Sequence, residues 1–444
     1  MNKPSPWADA EPRRRWMPPR EFVQVLDKSS AAFLGAVENL RQQDAESWVE
    51  GSLSTLAREA LALEQFLDAH GARANQEFFP LRKSVACTLW LSEALSCLVH
   101  LRGRLEVYPS ADDFWTQRRL PEALKETVIG LSEILLKTLE ILKIQWVKAG
   151  CEWVFEAPKE PIRTAKQTRL LVADRTRLED LNAANQAPHS LPAARLAYRY
   201  LGFFHSWTIN DAKGLEETEG LIQFLEEFCK ERTVRSFKAR AHNWQSDYDS
   251  MVLGSSEEDK WPELGCLRGA MSQALHFLEA MVALSHVFER HRPGLATPDC
   301  DPTSVILESK PFLTLFVEGC VLAAYRSLEV GVDSAKTLLS VLVEETYIFA
   351  KLPDGVQLHA RPLSLLVRLT QHHGLPISMS SEGVVASTDS LMQLLLLSGQ
   401  RPNTREFRFD GDAAVLEDIA LLFEANLGEG GIDTLPEELS YLKQ

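Results

Sequence analysis

Apolar residues recur at helical spacing over most of this chain, from about residue 21 to residue 340. In the clearest case they mark one face of a helix that would begin near Pro121, a residue suited to a first helical turn. That face comprises Leu124, Val128, Leu131, Leu135, Leu139 and Leu142. A shorter stripe of the same kind comprises Leu53, Leu56, Leu63 and Leu67. The spacing predicts further helices over 22–42, 83–103, 190–208, 214–232, 265–290, 310–329 and 334–343.

Hardly any alternating strand pattern interrupts these helices, so residues 21–340 are predicted to form a large all-α domain. The same region could consist of two related bundles, over 21–150 and 190–340. Gln65-Phe66-Leu67 and Gln223-Phe224-Leu225 are among the matches that favour a duplication of one helical unit. Helical segments of similar composition also produce such matches by chance, and both explanations stay open.

Three stretches lack this spacing. Residues 1–20 carry five prolines among basic residues and are predicted to be a flexible N-terminal arm. Residues 151–190 combine prolines with many charges and would connect the two halves. Residues 243–263 are predicted to form an acidic exposed loop.

Beyond residue 343 the pattern changes to short segments that alternate between strand and helix character. Strands are predicted over 345–350, 375–379, 384–386 and 405–409, and helices from 359, from 387 and from 410. The order is therefore βαββαβα. This predicts an α+β domain over 343–430 after the all-α domain, with a C-terminal tail over 431–444.

His359 falls where the first helix of this α+β domain begins, directly before Ala360, Arg361 and Pro362. The first N–H groups of a helix lack internal partners and favour an anion. Arg361 adds a guanidinium fork that matches phosphate oxygens, and Pro362 suits a first turn, where no N–H is needed. A histidine nitrogen beside such an anion site can accept a phosphoryl group and release it again. His359 and Arg361 are therefore the candidate catalytic residues, and Ala360 and Arg361 would bind the phosphate.

The motif His359-Ala360-Arg361-Pro362, with the βαββαβα order up to about residue 430, resembles HPr. HPr is the histidine phosphocarrier of the bacterial phosphoenolpyruvate:sugar phosphotransferase system. The resemblance implies a small open-faced βαββαβα sandwich that carries a phosphoryl group on Nδ1 of His359. It implies an enzyme I-type phosphoryl donor and an enzyme IIA-type acceptor, or a regulated protein in place of that acceptor. Such a protein is a phosphocarrier with a phosphohistidine intermediate more than a turnover enzyme.

Two positions depart from the pattern of this family. HPr proteins usually have glycine two residues before the histidine, where this chain has Gln357, and small residues after the proline, where it has Leu363. Glycine permits backbone conformations that glutamine does not, so the loop and the transfer rate are expected to differ. The alternative function is a non-transferring HPr-fold interaction module in a helical scaffold or regulatory protein.

The second helix of the α+β domain carries two more features that the resemblance implies. Ser390 aligns with the serine that a dedicated kinase phosphorylates in HPr proteins of some bacteria. Leu391, Met392 and Leu395 match the exposed apolar face with which HPr proteins dock on partners. In this chain that face could instead pack on the helical domain and hide His359.

Charge and composition narrow the classes of function. A net charge of −15 and a pI of about 5.3 argue against nucleic-acid binding. Seven scattered cysteines without a C-x-x-C pair are typical of free thiols in a reducing cytosol. No apolar run follows the basic N-terminus, and the longest apolar stretch, 312–325, is too short to span a bilayer, so we expect a cytoplasmic protein without membrane insertion. No nucleotide-binding or metal-ligand spacing occurs, and we expect neither a cofactor nor a metal.

Overall fold

The computed structural model describes residues 17–108, 115–155, 191–207, 209, 215–292 and 302–443. Most of these residues are helical, and a small antiparallel sheet of four strands lies near the C-terminus, as the sequence predicts. The predicted arm lies outside the described residues up to position 16, and the predicted connector does so from 156 to 190.

Long helices build the N-terminal part of the chain. They are α1 (Pro19–Ser29), α2 (Ala31–Arg41), α3 (Glu50–Ala69), α4 (Phe79–Arg104), α5 (Leu120–Lys148), α6 (Leu191–His205), α7 (Thr218–Phe228), α8 (Glu231–Met251), α9 (Ser256–Lys260), α10 (Pro262–His291), α11 (Pro302–Leu307), α12 (Lys310–Phe316) and α13 (Ala323–Leu342). The two leucine-rich stripes noted above are buried along α3 and α5. A π turn over Val317–Leu322 joins α12 to α13, so the helices predicted over 310–329 and 334–343 are one continuous run.

The prediction of an acidic exposed loop over 243–263 is wrong. Helix α8 continues through the first part of this stretch, and α9 and the start of α10 occupy most of the rest. Trp244 and Tyr248 lie one helical turn apart and are both buried against the core. Their burial holds the segment in a helix although the residues between and after them are polar or charged.

Side chains from both predicted halves of the helical domain belong to one continuous hydrophobic core that extends from Phe22 to Leu338. Helices α4 and α10 pack against each other inside this core. The hydroxyls buried on α4 are paired within the helix, as where Thr88 donates to the carbonyl of Ser84 at 2.9 Å and Ser92 to that of Thr88 at 2.7 Å. The helix can therefore be buried on several sides without unpaired polar groups. Duplication of the two halves stays a prediction.

Helix α4 is also the described helix whose length and hydropathy would allow it to cross a membrane. However, 72% of its most apolar window is buried inside the protein, which is typical of a core helix in a folded domain. The apolar stretch 312–325 that stood out in the sequence instead forms α12, the π turn and the start of α13.

The C-terminal domain contains the sheet. Its elements are β1 (Glu345–Lys351), α14 (Ala360–His373), β2 (Ser378–Ser381), β3 (Val384–Ser387), α15 (Leu391–Gln400), β4 (Glu406–Asp412) and α16 (Ala413–Glu424). The strands lie in the order β1-β4-β2-β3, and each neighbouring pair is antiparallel. The turn between β2 and β3 contains Glu382 and Gly383, both with positive φ.

The two faces of the sheet differ because side chains alternate along each strand. One face packs into a second hydrophobic core with residues of α14, α15 and α16, and it supplies Ala350, Met379, Ala386, Phe407 and Phe409. The opposite face leaves Tyr347, Phe349 and Val385 exposed to solvent. The register pairs Ile348 with Phe409 and Ala350 with Phe407 across β1 and β4, which keeps these apolar side chains on the buried face.

Residues 431–443 of the predicted C-terminal tail belong to this domain. Turns of 3-10 helix over Ile432–Thr434 and Glu437–Lys443 bring Leu435, Leu439 and Leu442 into the second core. The hydroxyl of Tyr441 donates to Oδ2 of Asp418 at 2.7 Å, and Nε2 of His373 lies 2.9 Å from the same oxygen. Burial acts to raise the pKa of Asp418, but these two hydrogen bonds and the charge interactions with His373 and His372 together outweigh it and hold that pKa below its usual range.

Helix α6 joins the two parts of the molecule. Ala194 is buried in the second core, and Arg195 donates to the backbone carbonyl of His372, near the end of α14, at 3.2 Å. Gly374 ends α14 with φ +67°, and a Cβ at this position would lie 2.8 Å from the side chain of Arg195. Gly374 therefore provides the left-handed residue that ends the helix and the space that Arg195 occupies.

Candidate functional site

A short loop presents His359 at the start of α14. Its turn is closed by a hydrogen bond from the N–H of Val356 to the carbonyl of Pro353 at 3.1 Å, with Gly355 at φ +83°. Val356 is buried and fixes the loop to the second core. His359 follows with extended backbone (φ −130°, ψ −176°) and occupies the N-cap of α14. The sequence prediction that His359 lies at the beginning of a helix is confirmed.

Both ring nitrogens of His359 have a neighbour. Nδ1 accepts a hydrogen bond from the backbone N–H of Arg361 at 3.3 Å, on the side of the helix N-terminus. Nε2 lies 3.0 Å from Oε1 of Glu429, and 52% of the imidazole surface is exposed to solvent. A carboxylate only accepts hydrogen bonds, so this pair of contacts favours the tautomer with its proton on Nε2.

The first turn of α14 has two backbone N–H groups that could donate to an anion, those of Ala360 and Arg361. The N–H of Ala360 has no partner among the described residues, and that of Arg361 has only the long bond to Nδ1. Pro362 has no N–H, and the N–H of Leu363 is used in the helix, donating to the carbonyl of His359 at 3.2 Å. The Arg361 side chain is exposed and forms no ion pair with the described residues. An anion near Nδ1 could therefore meet two N–H groups and a free guanidinium.

The two departures from the HPr pattern have structural explanations. Gln357 is exposed and is not among the residues with positive φ, because Gly355 supplies the left-handed conformation of the loop. Leu363 is fully buried in the second core and adds packing under the first turn of α14, whereas about half of the His359 side chain is exposed. Neither residue obstructs the imidazole.

Glu429 is the residue at this site that the sequence analysis missed. It lies in the segment after α16, at the far end of the domain in sequence, and no periodic pattern connects it to His359. Asn426 and Leu427 both have φ +52°, and Gly428 follows at φ +72°. The run of glycines at 428, 430 and 431 is a sequence signal of this turn, but it carries no information on which side chain the turn would approach.

The predicted docking residues on α15 differ in their exposure. Met392 is 69% exposed and Leu395 is 38% exposed, whereas Leu391 is half-buried against the second core. Leu396, which was not predicted, is 55% exposed and enlarges the apolar surface. This surface does not pack on the described helices of the N-terminal domain, and His359 is not hidden. Near the end of the helix, the hydroxyl of Ser398 donates to the carbonyl of Leu358 at 2.9 Å, which connects α15 to the loop that carries His359.

Ser390 is the N-cap of α15. Its Oγ accepts a hydrogen bond from the N–H of Gln393 at 3.4 Å, and the Gln393 side chain accepts from the N–H of Ser387 at 2.9 Å. Thr388 and Asp389, the two residues before it, bond elsewhere: Thr388 donates to the carbonyl of Ile377, and Asp389 accepts from the Ser387 hydroxyl. A phosphate on Ser390 would lie at a helix N-terminus, which favours negative charge.

Two of the other histidines, His100 and His372, have structural partners. Nδ1 of His100 lies 2.9 Å from Glu50, and the ring of His372 stacks on Tyr441 with centroids 3.9 Å apart. Within the described ranges, no group of three or more His, Cys, Asp or Glu side chains is arranged to hold a metal ion.

Comparisons with protein-family models, with curated proteins and with solved structures gave no match to this chain.

Proposed function

We propose that this protein carries a phosphoryl group on Nδ1 of His359, as a histidine phosphocarrier or a phosphorylation-dependent regulator of a bacterial phosphoenolpyruvate-dependent phosphotransferase system. The observation that carries the proposal is the position of an exposed imidazole at the N-cap of α14, with Nδ1 against the first N–H groups of that helix. Helix N-termini stabilise phosphate through those groups and through the helix dipole. The chain order βαββαβα agrees with the resemblance to HPr.

The chemistry of the step follows from the two ring nitrogens. The lone pair of Nδ1 attacks the phosphorus atom of the donor, and the N–P bond forms as the bond between phosphorus and the donor breaks. The electron pair of the broken bond leaves with the donor. The phosphoryl oxygens replace Nδ1 as the partner of the Arg361 N–H and reach the Ala360 N–H, while the Arg361 guanidinium neutralises part of their charge.

The partners in this proposal are an enzyme I-type donor and an enzyme IIA-type acceptor or a regulated protein in the cytoplasm. The exposed apolar surface of Met392, Leu395 and Leu396 supports docking of such a partner, since exposed apolar patches commonly mark protein contacts. The same surface also favours the second candidate function, an HPr-fold interaction module that docks without phosphoryl transfer. A phosphate on Ser390, beside Leu391 and Met392, would disfavour apolar docking in either case, and its use stays a prediction.

A transfer assay separates the two functions. The full-length chain is incubated with enzyme I from the same genome and with 32P-labelled phosphoenolpyruvate, and an HPr of that genome serves as a positive control. Label that is stable in base and lost in acid would support the phosphocarrier. A labelled control beside an unlabelled chain that still binds enzyme I would overturn the phosphocarrier and support the docking module.

Arg361→Ala is expected to slow phosphoryl transfer roughly 10- to 100-fold while changing the unfolding temperature little. The guanidinium is exposed and makes no ion pair with described residues, so its removal takes away phosphate binding and no packing. The rate is measured by quenched-flow transfer from labelled enzyme I. The matched control is Arg368→Ala, on the same helix about two turns beyond Arg361. Equal rates in the two variants would mean that the Arg361 side chain faces solvent and does not bind the phosphoryl group.

Gln357→Gly is expected to leave the transfer rate unchanged, because Gly355 already supplies the left-handed residue of the loop. By contrast, Gly355→Ala is expected to destabilise the loop by roughly 1–2 kcal/mol, since a Cβ disfavours positive φ. Transfer rates and thermal unfolding of both variants check this pair of expectations. A faster Gln357→Gly variant would mean that glutamine restrains the loop.

A further inference from the structure

We infer that Glu429 is a positioning residue for His359, which holds the imidazole in one tautomer and one orientation for attack through Nδ1. This inference rests on the proposed function. The central observation is the distance of 3.0 Å between Oε1 of Glu429 and Nε2 of His359. Glu429 does not touch the incoming phosphoryl group, because it lies on the ring nitrogen opposite to the one that reacts.

The hydrogen bond at Nδ1 and the carboxylate near Nε2 favour the same tautomer. The Arg361 N–H requires an unprotonated Nδ1, and the negative charge of the Glu429 carboxylate, 3.0 Å from Nε2, favours a proton on that nitrogen. Together they keep the reactive lone pair on the nitrogen that faces the helix N-terminus. When the N–P bond forms at Nδ1, Nε2 keeps its proton and the ring becomes cationic. The Glu429 carboxylate then lies beside a developing positive charge, which it stabilises.

The backbone turn before Glu429 is held by packing against the second core and α14. Asn426 and Leu427 both adopt left-handed conformations, which cost non-glycine residues free energy and persist only where packing enforces them. Leu427 is almost fully buried in the second core, and a Cβ on Gly428 would lie 2.6 Å from the side chain of Leu365 on α14. The turn therefore packs directly on the helix that His359 caps. The N–H of Glu429 also donates to the carbonyl of Asn426 at 3.0 Å.

The Glu429 side chain extends from this turn toward His359. About one third of its surface is exposed, and in the described structure the His359 ring is the ionisable partner within 4 Å. A glutamate that only promoted solubility would not need a strained turn to place it on a histidine nitrogen. In many catalytic and metal sites, a carboxylate likewise orients a histidine by contacting the ring nitrogen that does not react.

The test uses three variants of the full-length protein. Glu429→Ala removes both the acceptor and the charge, and Glu429→Gln keeps an acceptor oxygen but removes the charge. Glu424→Gln, at the exposed end of α16, is the matched control. The tautomer of His359 is read by NMR from 15N-labelled histidine at a pH where imidazoles are neutral, and the His359 signal among the eleven histidines is assigned by its absence in His359→Ala.

Glu429→Ala is expected to shift His359 toward the tautomer mixture of a solvated histidine and to slow phosphoryl transfer roughly 10- to 100-fold. Glu429→Gln is expected to keep more of the Nε2–H tautomer than the alanine variant and to transfer at an intermediate rate. An unchanged tautomer in Glu429→Ala, or a rate equal to that of the Glu424→Gln control, would overturn the inference. A wild-type protein that takes no label would overturn the phosphocarrier function separately, because the tautomer measurement does not depend on transfer.

Discussion

Replacing His359 with alanine is expected to abolish acid-labile, base-stable phosphorylation of this chain while leaving both cores folded. The imidazole is half exposed and belongs to neither hydrophobic core, so its loss creates no cavity. The cost to the fold is the N-cap hydrogen bond to Arg361, roughly 1 kcal/mol. The loss of function is complete because Nδ1 is the atom that would form the bond to phosphorus.

The matched control for this variant is His372→Ala, at the opposite end of the same helix. His372 stacks on Tyr441 and lies at the helix C-terminus, where the dipole disfavours a phosphate. Label is counted after enzyme I transfer, and circular dichroism compares the two folds. Full labelling of the His372 variant beside an unlabelled His359 variant is the expected pattern. Equal labelling of both variants would remove His359 from the mechanism.

The sequence was sufficient for those parts of the site that depend on local structure. A strand, a loop and then an apolar helical stripe placed His359 at a helix start, and Pro362 marked the first turn. The contact with Glu429 could not be predicted in the same way. It depends on how β4, α16 and the left-handed turn at Asn426 and Leu427 fold back on α14, and residue spacing does not encode that packing.

One error in the fold comes from the weight given to charge. The segment around Trp244 and Tyr248 has so many polar residues that it was assigned to a loop, yet two aromatic residues one turn apart are enough to bury one side of α8. A second error is the C-terminal tail predicted over 431–444. Leu435, Leu439 and Leu442 in fact have helical spacing, and they complete the second core.

That C-terminal segment leads to the second large expected effect. Leu439→Ala is expected to destabilise the C-terminal domain by roughly 2–5 kcal/mol, because the side chain is fully buried and the surrounding core cannot close the cavity completely. The loss is large compared with the net stability of a small domain. It would also loosen the contact between Tyr441 and Asp418 and, through the connected turn, the position of Glu429.

Hydrogen exchange read by mass spectrometry measures this effect locally, which matters because a chain with two cores need not unfold in one step. In Leu439→Ala, peptides from β4 and α16 are expected to exchange much faster than in the wild type, while peptides from α4 in the helical domain keep their protection. Leu396→Ala, an exposed leucine of the same domain, is the matched control and should change neither region. Unchanged protection of β4 and α16 in Leu439→Ala would mean that the C-terminal segment only covers the second core. Faster exchange there, together with a slower transfer to His359, would show that this segment supports both the fold of the domain and the geometry of its site.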